Sequence, residues 1–197
     1  HTHLGVSGSI DSSDLDLNAA DQAKYIYLEG YLVTSPSARA AIIELKEYAQ
    51  NRGVNTAMTF SDPSMLEYFR DNINEVLGTG VDLLFCNERE LRLWAQTDDF
   101  ETAFTKAQGF AKKLVVTLGA KGALLFDGQR RIPIAPNAVN AIDTNGAGDM
   151  FAGAFLYGIT NGMDFETAGN LASLASAKVV SNFGPRLTPE EHAAILS

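Results

Sequence analysis

Cysteine is almost absent, since Cys86 is the only one among 197 residues. An intramolecular disulfide is therefore excluded, and the cysteine usage is typical of a protein from a reducing compartment. We accordingly expect a cytoplasmic protein. Cys86 lies in the apolar run 81–86, where a small core residue is a simpler interpretation than a nucleophile.

Basic residues and long apolar runs are scarce as well. Lys and Arg number 15 against 24 acidic residues, which gives a formal net charge of -9, and no segment concentrates the basic residues. We therefore expect no nucleic-acid partner. No apolar run is long enough for a transmembrane helix, so no membrane partner is expected. The three histidines form no group with metal-ligand spacing.

The remaining composition is that of a globular protein, with 46% hydrophobic and 20% charged residues. The length suits one domain over residues 1–197. Apolar runs of strand length alternate with longer segments of helical period, which is typical of a parallel sheet covered by helices. The later short runs, separated by Gly-containing turns, indicate hairpins. We expect strands at 25–28, 56–60, 82–86, 114–118, 123–126 and 131–134.

Helical spacing is found in most of the segments between these strands. The Gly/Ser/Asp-rich segment before the first strand is predicted to be a loop. Thr188 followed by Pro189 is typical of a helix start. The predicted helices cover 37–51, 65–73, a segment from Asn87 toward Trp94, 100–112, 147–160, 165–181 and a short one after Thr188.

The most informative segment is Asp-Thr-Asn-Gly-Ala-Gly-Asp at 143–149, followed directly by a helix-like run. Small residues let the backbone approach a ligand, and free N–H groups at a helix N-terminus attract anions. A carboxylate here would repel such an anion. The two features are compatible if Asp149 removes a proton from a hydroxyl while the amides of Gly146, Ala147 and Gly148 hold a phosphoryl group. This combination is the chemistry of a kinase. The simpler alternatives are glycines kept for packing and a helix N-terminal acid.

Two other phosphate-binding patterns do not fit the same turn. A dinucleotide-binding fingerprint needs a third glycine where Met150 and Phe151 stand, and it belongs to an early strand–helix–strand unit. A Walker loop needs a Gly-Lys-Ser/Thr that is missing here. A dinucleotide-dependent oxidoreductase is therefore disfavoured.

The whole run 143–149 resembles the second signature of the ribokinase-like (pfkB) family of carbohydrate and nucleoside kinases, usually Asp-Thr-x-Gly-Ala-Gly-Asp. Three further segments resemble that family in the same order. Asn87–Glu90 fits its Asn-x-x-Glu motif, 117–122 fits its nucleotide-binding strand and turn, and 180–186 is similar to the loop closing the adenine and monovalent-cation region. Segments 27–32 and 61–63 look most like the bacterial adenosine-kinase-like branch of sugar kinases.

The resemblance implies a three-layer α/β/α ribokinase-like fold with a mostly parallel sheet and a hairpin-rich C-terminal part. It implies ATP and Mg²⁺ as cofactors, with K⁺ as a candidate monovalent ion. Asp149 would be the catalytic base, and Gly146, Ala147 and Gly148 would form the anion hole.

Binding roles follow from the same resemblance. Thr117, Gly119 and Gly122 would border ATP, and Gly184 would close the nucleotide site. Asn87 and Glu90 would hold Mg²⁺ through water, although their spacing is also that of a helix capping box, and both roles can hold at once. The residues implied for the monovalent ion are Asp143, the Asn145 carbonyl and backbone near Gly184.

The matched segments correspond to the later part of a family member. The N-terminal strands, the lid and most acceptor-binding residues would be missing from this chain. We expect an ATP-dependent phosphotransferase acting on a hydroxyl of a small-molecule sugar or nucleoside, and a homodimer is the assembly that we allow for. The alternative is a catalytically inactive nucleotide-binding module of the same fold.

Overall fold

The structure, a computed structural model, describes residues 5–196. These divide into two compact units, one ending at Leu114 and the other beginning at Val115, with the division inside a strand. The single domain expected over residues 1–197 stays a prediction. In the part of the chain that is described, no helix has the length and apolar character needed to cross a membrane.

The first unit contains three complete strands and the start of a fourth. They are β1 (Tyr25–Glu29), β2 (Asn55–Thr59), β3 (Val81–Asn87) and β4 (Ala111–Thr117), hydrogen-bonded in the order β1-β2-β3-β4. The β1–β2 and β2–β3 pairs are parallel. The helices of this unit are α1 (Leu17–Gln22), α2 (Pro36–Asn51), α3 (Pro63–Tyr68), α4 (Arg70–Leu77), α5 (Glu88–Ala95) and α6 (Phe100–Gln108).

The core of the first unit lies along β2 and β3. Four successive residues of β3, Leu83 to Cys86, are buried, which is the pattern of a strand covered on both faces. Cys86 is therefore a core residue, as predicted, and burial raises the pKa of its thiol well above the ordinary value. A thiol held protonated in this way is a poor nucleophile.

The second unit contains the end of β4, then β5 (Ala123–Phe126) and β6 (Arg131–Ile134), in the order β4-β5-β6. β5 and β6 form the predicted antiparallel hairpin, with Ala123 opposite Ile134. The helices are α7 (Ala147–Thr160), α8 (Phe165–Val180) and α9 (Pro189–Leu196). The two units together confirm an α/β fold.

Helices α7 and α8 approach closely because small residues lie between them. A Cβ added at Gly158 would lie 2.8 Å from the Cβ of Ala168, so a larger residue would push the helices apart. Beside this contact, Phe155 and Phe165 meet edge to face with ring centroids 5.0 Å apart. The pair fixes the register of α7, whose first turn carries the candidate site.

Apart from shifts of one or two residues at the ends of elements, three differences from the sequence-based expectations are found. The predicted loop before β1 contains α1, which Asp16 caps by accepting hydrogen bonds from two amides. The single helix expected over 65–73 is two helices, because Phe69 has non-helical dihedrals (φ -129°, ψ 24°). The helix expected over 100–112 ends at Gln108, and Ala111 already belongs to β4.

Candidate functional site

Gly146 fixes the turn that leads into α7. It is the residue before the helix, with left-handed backbone (φ 77°, ψ 0°), and no side chain caps the helix there. A Cβ at this position would lie 2.6 Å from both the Cβ and the carbonyl oxygen of Pro185. Glycine is therefore required by both the dihedral angle and the close approach.

The first turn of α7 leaves backbone amides available. The Ala147 amide bonds the Thr144 carbonyl at 3.3 Å, and the Met150 amide bonds the Gly146 carbonyl at 2.9 Å. Among the described residues, no hydrogen bond uses the N–H of Gly146, Gly148 or Asp149. These are the groups from which an anion hole is built at a helix N-terminus. Of the three amides predicted for the anion hole, that of Ala147 is used within the turn, whereas those of Gly146 and Gly148 are not. The anion-binding role stays a prediction.

Asp149 lies in this first turn and its side chain is exposed. It lines a cavity of about 520 Å³ together with residues of α8, α9 and the preceding loop, among them Pro185 and Arg186. A carboxylate in such a position can accept a proton from a bound hydroxyl while the adjacent amides face an anion.

Asp143 joins the turn to the loop that follows α8. Its Oδ1 accepts the Asn145 amide at 2.9 Å, and its Oδ2 accepts the Gly184 amide at 3.1 Å. The amide bonds from Asn145 and then Gly184 lower the pKa of the Asp143 carboxyl. Asp143, Asn145 and Gly184, the three residues predicted for a monovalent-ion site, therefore lie together. They are joined by the two backbone N–H groups that donate to the Asp143 carboxylate.

A second glycine turn follows β4. The Leu118 amide bonds the Gly122 carbonyl at 2.8 Å, and Gly119–Lys121 forms a short 3-10 turn between them. Gly122 has φ 89°, and a Cβ there would lie 2.0 Å from the Ile134 carbonyl oxygen. Its amide is used by Gly119, so the turn shapes a surface rather than presenting every N–H to a ligand.

A cavity of about 460 Å³ in the same unit was missed by sequence reasoning. Its lining residues come from the segment after β6 and from α8, including Asn137, Asn170 and Leu174. Asn137 donates to Ser173 Oγ at 3.0 Å, and that hydroxyl donates to the Ala135 carbonyl at 3.0 Å. Scattered polar residues on a loop and a helix carry no spacing signal, so the sequence could not indicate this pocket.

Asn87 and Glu90 form a reciprocal pair in the first unit. Asn87 Oδ1 accepts the Glu90 amide at 2.8 Å, while Glu90 accepts the Asn87 amide at 2.9 Å and its Nδ2 at 2.7 Å. The capping box predicted from the spacing is present at the start of α5. The metal-binding role of the two residues stays a prediction.

Glu90 is also deeply buried, with only 4% of its surface exposed. Burial is the main reason that its pKa rises to about 7, with a further contribution from the charge of Asp62 and an opposing one from the Asn87 amide. A cation beside the carboxylate would reverse this shift. Among the described residues, no three His, Cys, Asp or Glu side chains form a metal cluster.

The predicted site residues thus fall into three groups. The second unit holds the 143–149 turn with Gly184, and separately the 117–122 turn; no hydrogen bond between these two turns is found in the described part of the chain. Asn87 and Glu90 lie in the first unit, where they bond to each other.

Comparisons with known proteins agree with this geometry. The model of the pfkB family of carbohydrate kinases matches residues 4–192. The crystal structure of adenosine kinase from Sinorhizobium meliloti superposes with a TM-score of 0.88 at 34% identity, covering 95% of this chain and 58% of that one. Adenosine kinase of Saccharomyces cerevisiae is 27% identical over an alignment of 206 positions that covers 96% of this chain and 59% of the yeast protein.

A solved structure with lower sequence identity is similar to this chain in fold only. A putative Ribokinase II from E. coli, in complex with ATP and Mg²⁺, superposes with a TM-score of 0.85 at 21% identity and covers 96% of this chain and 63% of that one. The expected ribokinase-like fold is therefore confirmed. In all three comparisons the chain spans less than two thirds of the relative's length.

Proposed function

The chain belongs to the pfkB family of carbohydrate kinases, and we propose that it carries the ATP-binding and catalytic portion of an enzyme that phosphorylates a hydroxyl of a sugar or nucleoside. The observation that carries this proposal is the position of Asp149. Its exposed carboxylate shares the first turn of α7 with amides that have no partner among the described residues.

In this proposal Asp149 takes the proton of the acceptor hydroxyl as the oxygen attacks the γ-phosphorus of ATP. The O–P bond to the acceptor forms while the bond between the γ-phosphorus and the bridging oxygen of ADP breaks. The amides of Gly146, Gly148 and Asp149 stabilise the charge of the transferred group. Positioning and charge stabilisation are most of what phosphoryl transfer requires of a protein.

ATP would lie along the 117–122 turn and α8. The support is the left-handed backbone of Gly119 and Gly122 in the turn after β4, together with the cavity beside α8 that Asn137 and Asn170 line. Its volume of about 460 Å³ is within the range of small-molecule sites. Gly184, fixed by Asp143, would close the site.

Mg²⁺, when bound, would neutralise charge on the phosphates. The donor set of Asn87 and Glu90 fits a hydrated ion: a carboxylate has about four acceptor sites, and Asn87 occupies two of those on Glu90. Glu90 can therefore order a hydration water without losing its capping bonds. For K⁺, the support is limited to the proximity of Asp143, Asn145 and Gly184.

Asp149→Asn tests the proposal directly. We expect ADP release only when Mg²⁺ and an acceptor are both present, with sugars and nucleosides tried in turn, and a loss of turnover of about a hundredfold or more in the variant. ATP binding, measured by calorimetry, should persist. Glu166→Gln is the matched control, because Glu166 is a first-turn acid of α8 and should leave turnover unchanged. Near-normal turnover in Asp149→Asn would refute the base assignment.

A second candidate function is nucleotide binding without catalysis. It is favoured by one fact, that the chain covers 58% of the Sinorhizobium meliloti structure. ATP binding by this chain without turnover on any acceptor would support this alternative.

A further inference from the structure

The tripeptide Thr-Asn-Gly occurs twice in the chain, at 144–146 and at 160–162. The two copies lie at opposite ends of α7, since Gly146 precedes its first residue and Asn161 follows its last. In an Asn-Gly pair the backbone nitrogen of the glycine can attack the side-chain amide of the asparagine, because glycine has no Cβ to hinder the approach. Both asparagines are exposed, so a difference in reactivity between them must come from local structure.

The side chain of Asn161 is held in place. Its Nδ2 donates to the Tyr157 carbonyl at 2.8 Å, and its backbone amide bonds the same carbonyl at 3.1 Å. The carboxamide must break the first of these hydrogen bonds before it can turn toward the nitrogen of Gly162. The side chain of Asn145 makes no hydrogen bond to another described residue, so its carboxamide can turn toward the next nitrogen without losing one.

The dipole of α7 favours the reaction at the first copy and opposes it at the second. The attacking group is the backbone nitrogen after loss of its proton, which carries a negative charge. The N–H groups of Gly146 and Gly162 both lack a hydrogen-bond partner in the described part of the chain, so each can lose its proton without breaking a bond. The positive end of the helix raises the population of the anion at Gly146, and the negative end lowers it at Gly162, each by a factor of about two to five.

Two carboxylates close to the first copy act against the anion. Both oxygens of Asp143 accept backbone amides, those of Asn145 and Gly184, and the Asp149 side chain is exposed. Hydrogen bonds compensate the first charge and solvent screens the second. The N–H of Gly148, which has no partner among the described residues, lies at the same end of the helix and supports the anion.

We propose that Asn145 is a site of spontaneous deamidation. The nitrogen of Gly146 attacks Cγ of Asn145 and forms a bond to it, while the bond from Cγ to Nδ2 breaks. Nδ2 leaves as ammonia with the proton that the Gly146 amide has lost, and a five-membered succinimide ring remains. Water then opens the ring at one of its two carbonyls, which gives an aspartyl or an isoaspartyl residue. Water is the only co-reactant, and nothing is oxidised or reduced.

The products change the turn in two ways. Each adds a carboxylate beside the amides of Gly146 and Gly148, which would repel an anion bound there. The isoaspartyl product also adds one carbon atom to the main chain before Gly146, where a Cβ would already lie 2.6 Å from Pro185. Deamidation is therefore an irreversible modification that weakens phosphate binding as the protein ages. This consequence rests on the proposed function, whereas the cyclisation does not.

The first experiment compares the two copies in one sample. The 197-residue chain is kept in neutral buffer for several weeks, and peptide mapping with tandem mass spectrometry follows the conversion of Asn145 and Asn161. We expect Asn145 to react roughly fivefold faster or more in the folded chain. In concentrated urea the two rates should become equal, because the tripeptides are identical. Equal rates in the folded chain, or the same ratio in urea, would overturn the proposal.

The second experiment measures the consequence by calorimetry with Mg²⁺ and a non-hydrolysable ATP analogue. Asn145→Asp, which reproduces one product, should bind the analogue severalfold more weakly, and Asn161→Asp is the matched control that should bind as the unchanged chain does. Incubation should lower the affinity of the unchanged chain in proportion to the conversion of Asn145. The Asn145→Gln chain should keep its own starting affinity, because its longer side chain closes a ring much more slowly.

Unchanged affinity in both Asn145→Asp and the incubated chain would refute the effect on phosphate binding. If the fresh, unchanged chain bound no analogue, the proposed function would be contradicted instead, and the rate comparison would still decide whether Asn145 deamidates selectively.

Discussion

The carboxylate of Asp143 binds the amide of Gly184 across 41 positions of sequence, at an O–N distance of 3.1 Å. The same carboxylate binds the Asn145 amide. One side chain therefore fixes both the entry to the α7 turn and the loop after α8. Gly184 has left-handed backbone (φ 92°) and space around it, so at Gly184 itself the hydrogen bond to Asp143 holds the backbone where no side chain packs.

We expect Asp143→Ala to release the loop around Gly184. Amide hydrogen exchange of residues 181–187 should become severalfold faster, because local opening no longer requires breaking the bond to the carboxylate. Asp127→Ala is the matched control, since Asp127 also accepts two backbone amides but only those of Gln129 and Arg130. Unchanged exchange at 181–187 in Asp143→Ala would show that the loop is held by other contacts.

Glu90 makes the stability of the protein depend on pH. Its folded-state pKa of about 7 lies above the ordinary 4.5, so the folded state retains the proton longer than the unfolded state. Stability from this group is fully present below about pH 4.5 and is lost as the pH rises through 7. The total loss amounts to about 3 kcal/mol, at 1.36 kcal/mol per pKa unit.

Glu90→Gln should therefore flatten the curve of unfolding free energy against pH between 4.5 and 7, relative to the unchanged chain. Urea unfolding at several pH values measures this slope. Glu88 lies in the same turn but accepts a hydrogen bond from Arg92. Glu88→Gln leaves the buried carboxyl of Glu90 in place and should keep the slope of the unchanged chain. If the Glu90→Gln and unchanged chains gave parallel curves, the pH dependence of stability would not come from the carboxyl group of Glu90.

If Glu90 orders the hydration shell of Mg²⁺ as proposed, ion binding must displace its proton. Below pH 7, we expect Mg²⁺ affinity in the presence of a non-hydrolysable ATP analogue to rise by up to about tenfold per pH unit. Calorimetry in two buffers of different ionisation enthalpy would also report about one proton released. The Glu90→Gln chain should keep only the part of both effects that comes from the terminal phosphate of the analogue, which titrates near the same pH, whereas Glu88→Gln should match the unchanged chain.

Periodicity predicted the elements of the fold better than their ends. β5, β6 and α7 have the predicted bounds, because glycine turns delimit them in the sequence. The pattern of Met65, Leu66 and Ile73 continues across Phe69 in spite of the break, since one non-helical residue hardly disturbs the spacing of buried positions. The expected helix over 100–112 extends past Gly109, and glycine is a helix stop signal at which the observed helix ends.

The candidate site was predictable to the extent that it depends on local sequence. The Asn87–Glu90 capping box and the glycine turns are short-range motifs, and the structure contains them. The burial of Glu90 and the bond from Gly184 to Asp143 depend on residues distant in sequence. Such contacts leave no spacing pattern, so the raised pKa and the closed loop were found only in the structure.

Two glycines of the α7 region should respond to alanine in opposite ways. Gly146→Ala forces a side chain into left-handed backbone and against Pro185, so we expect destabilisation by about 1–3 kcal/mol. Gly153→Ala adds a methyl group to an exposed helical position with no neighbour within 4 Å. That change should stabilise the chain by about 0.5–1 kcal/mol, because alanine loses less backbone entropy in a helix. Urea unfolding of the two variants measures both effects, and a Gly146→Ala chain as stable as Gly153→Ala would mean that the turn can relax away from Pro185.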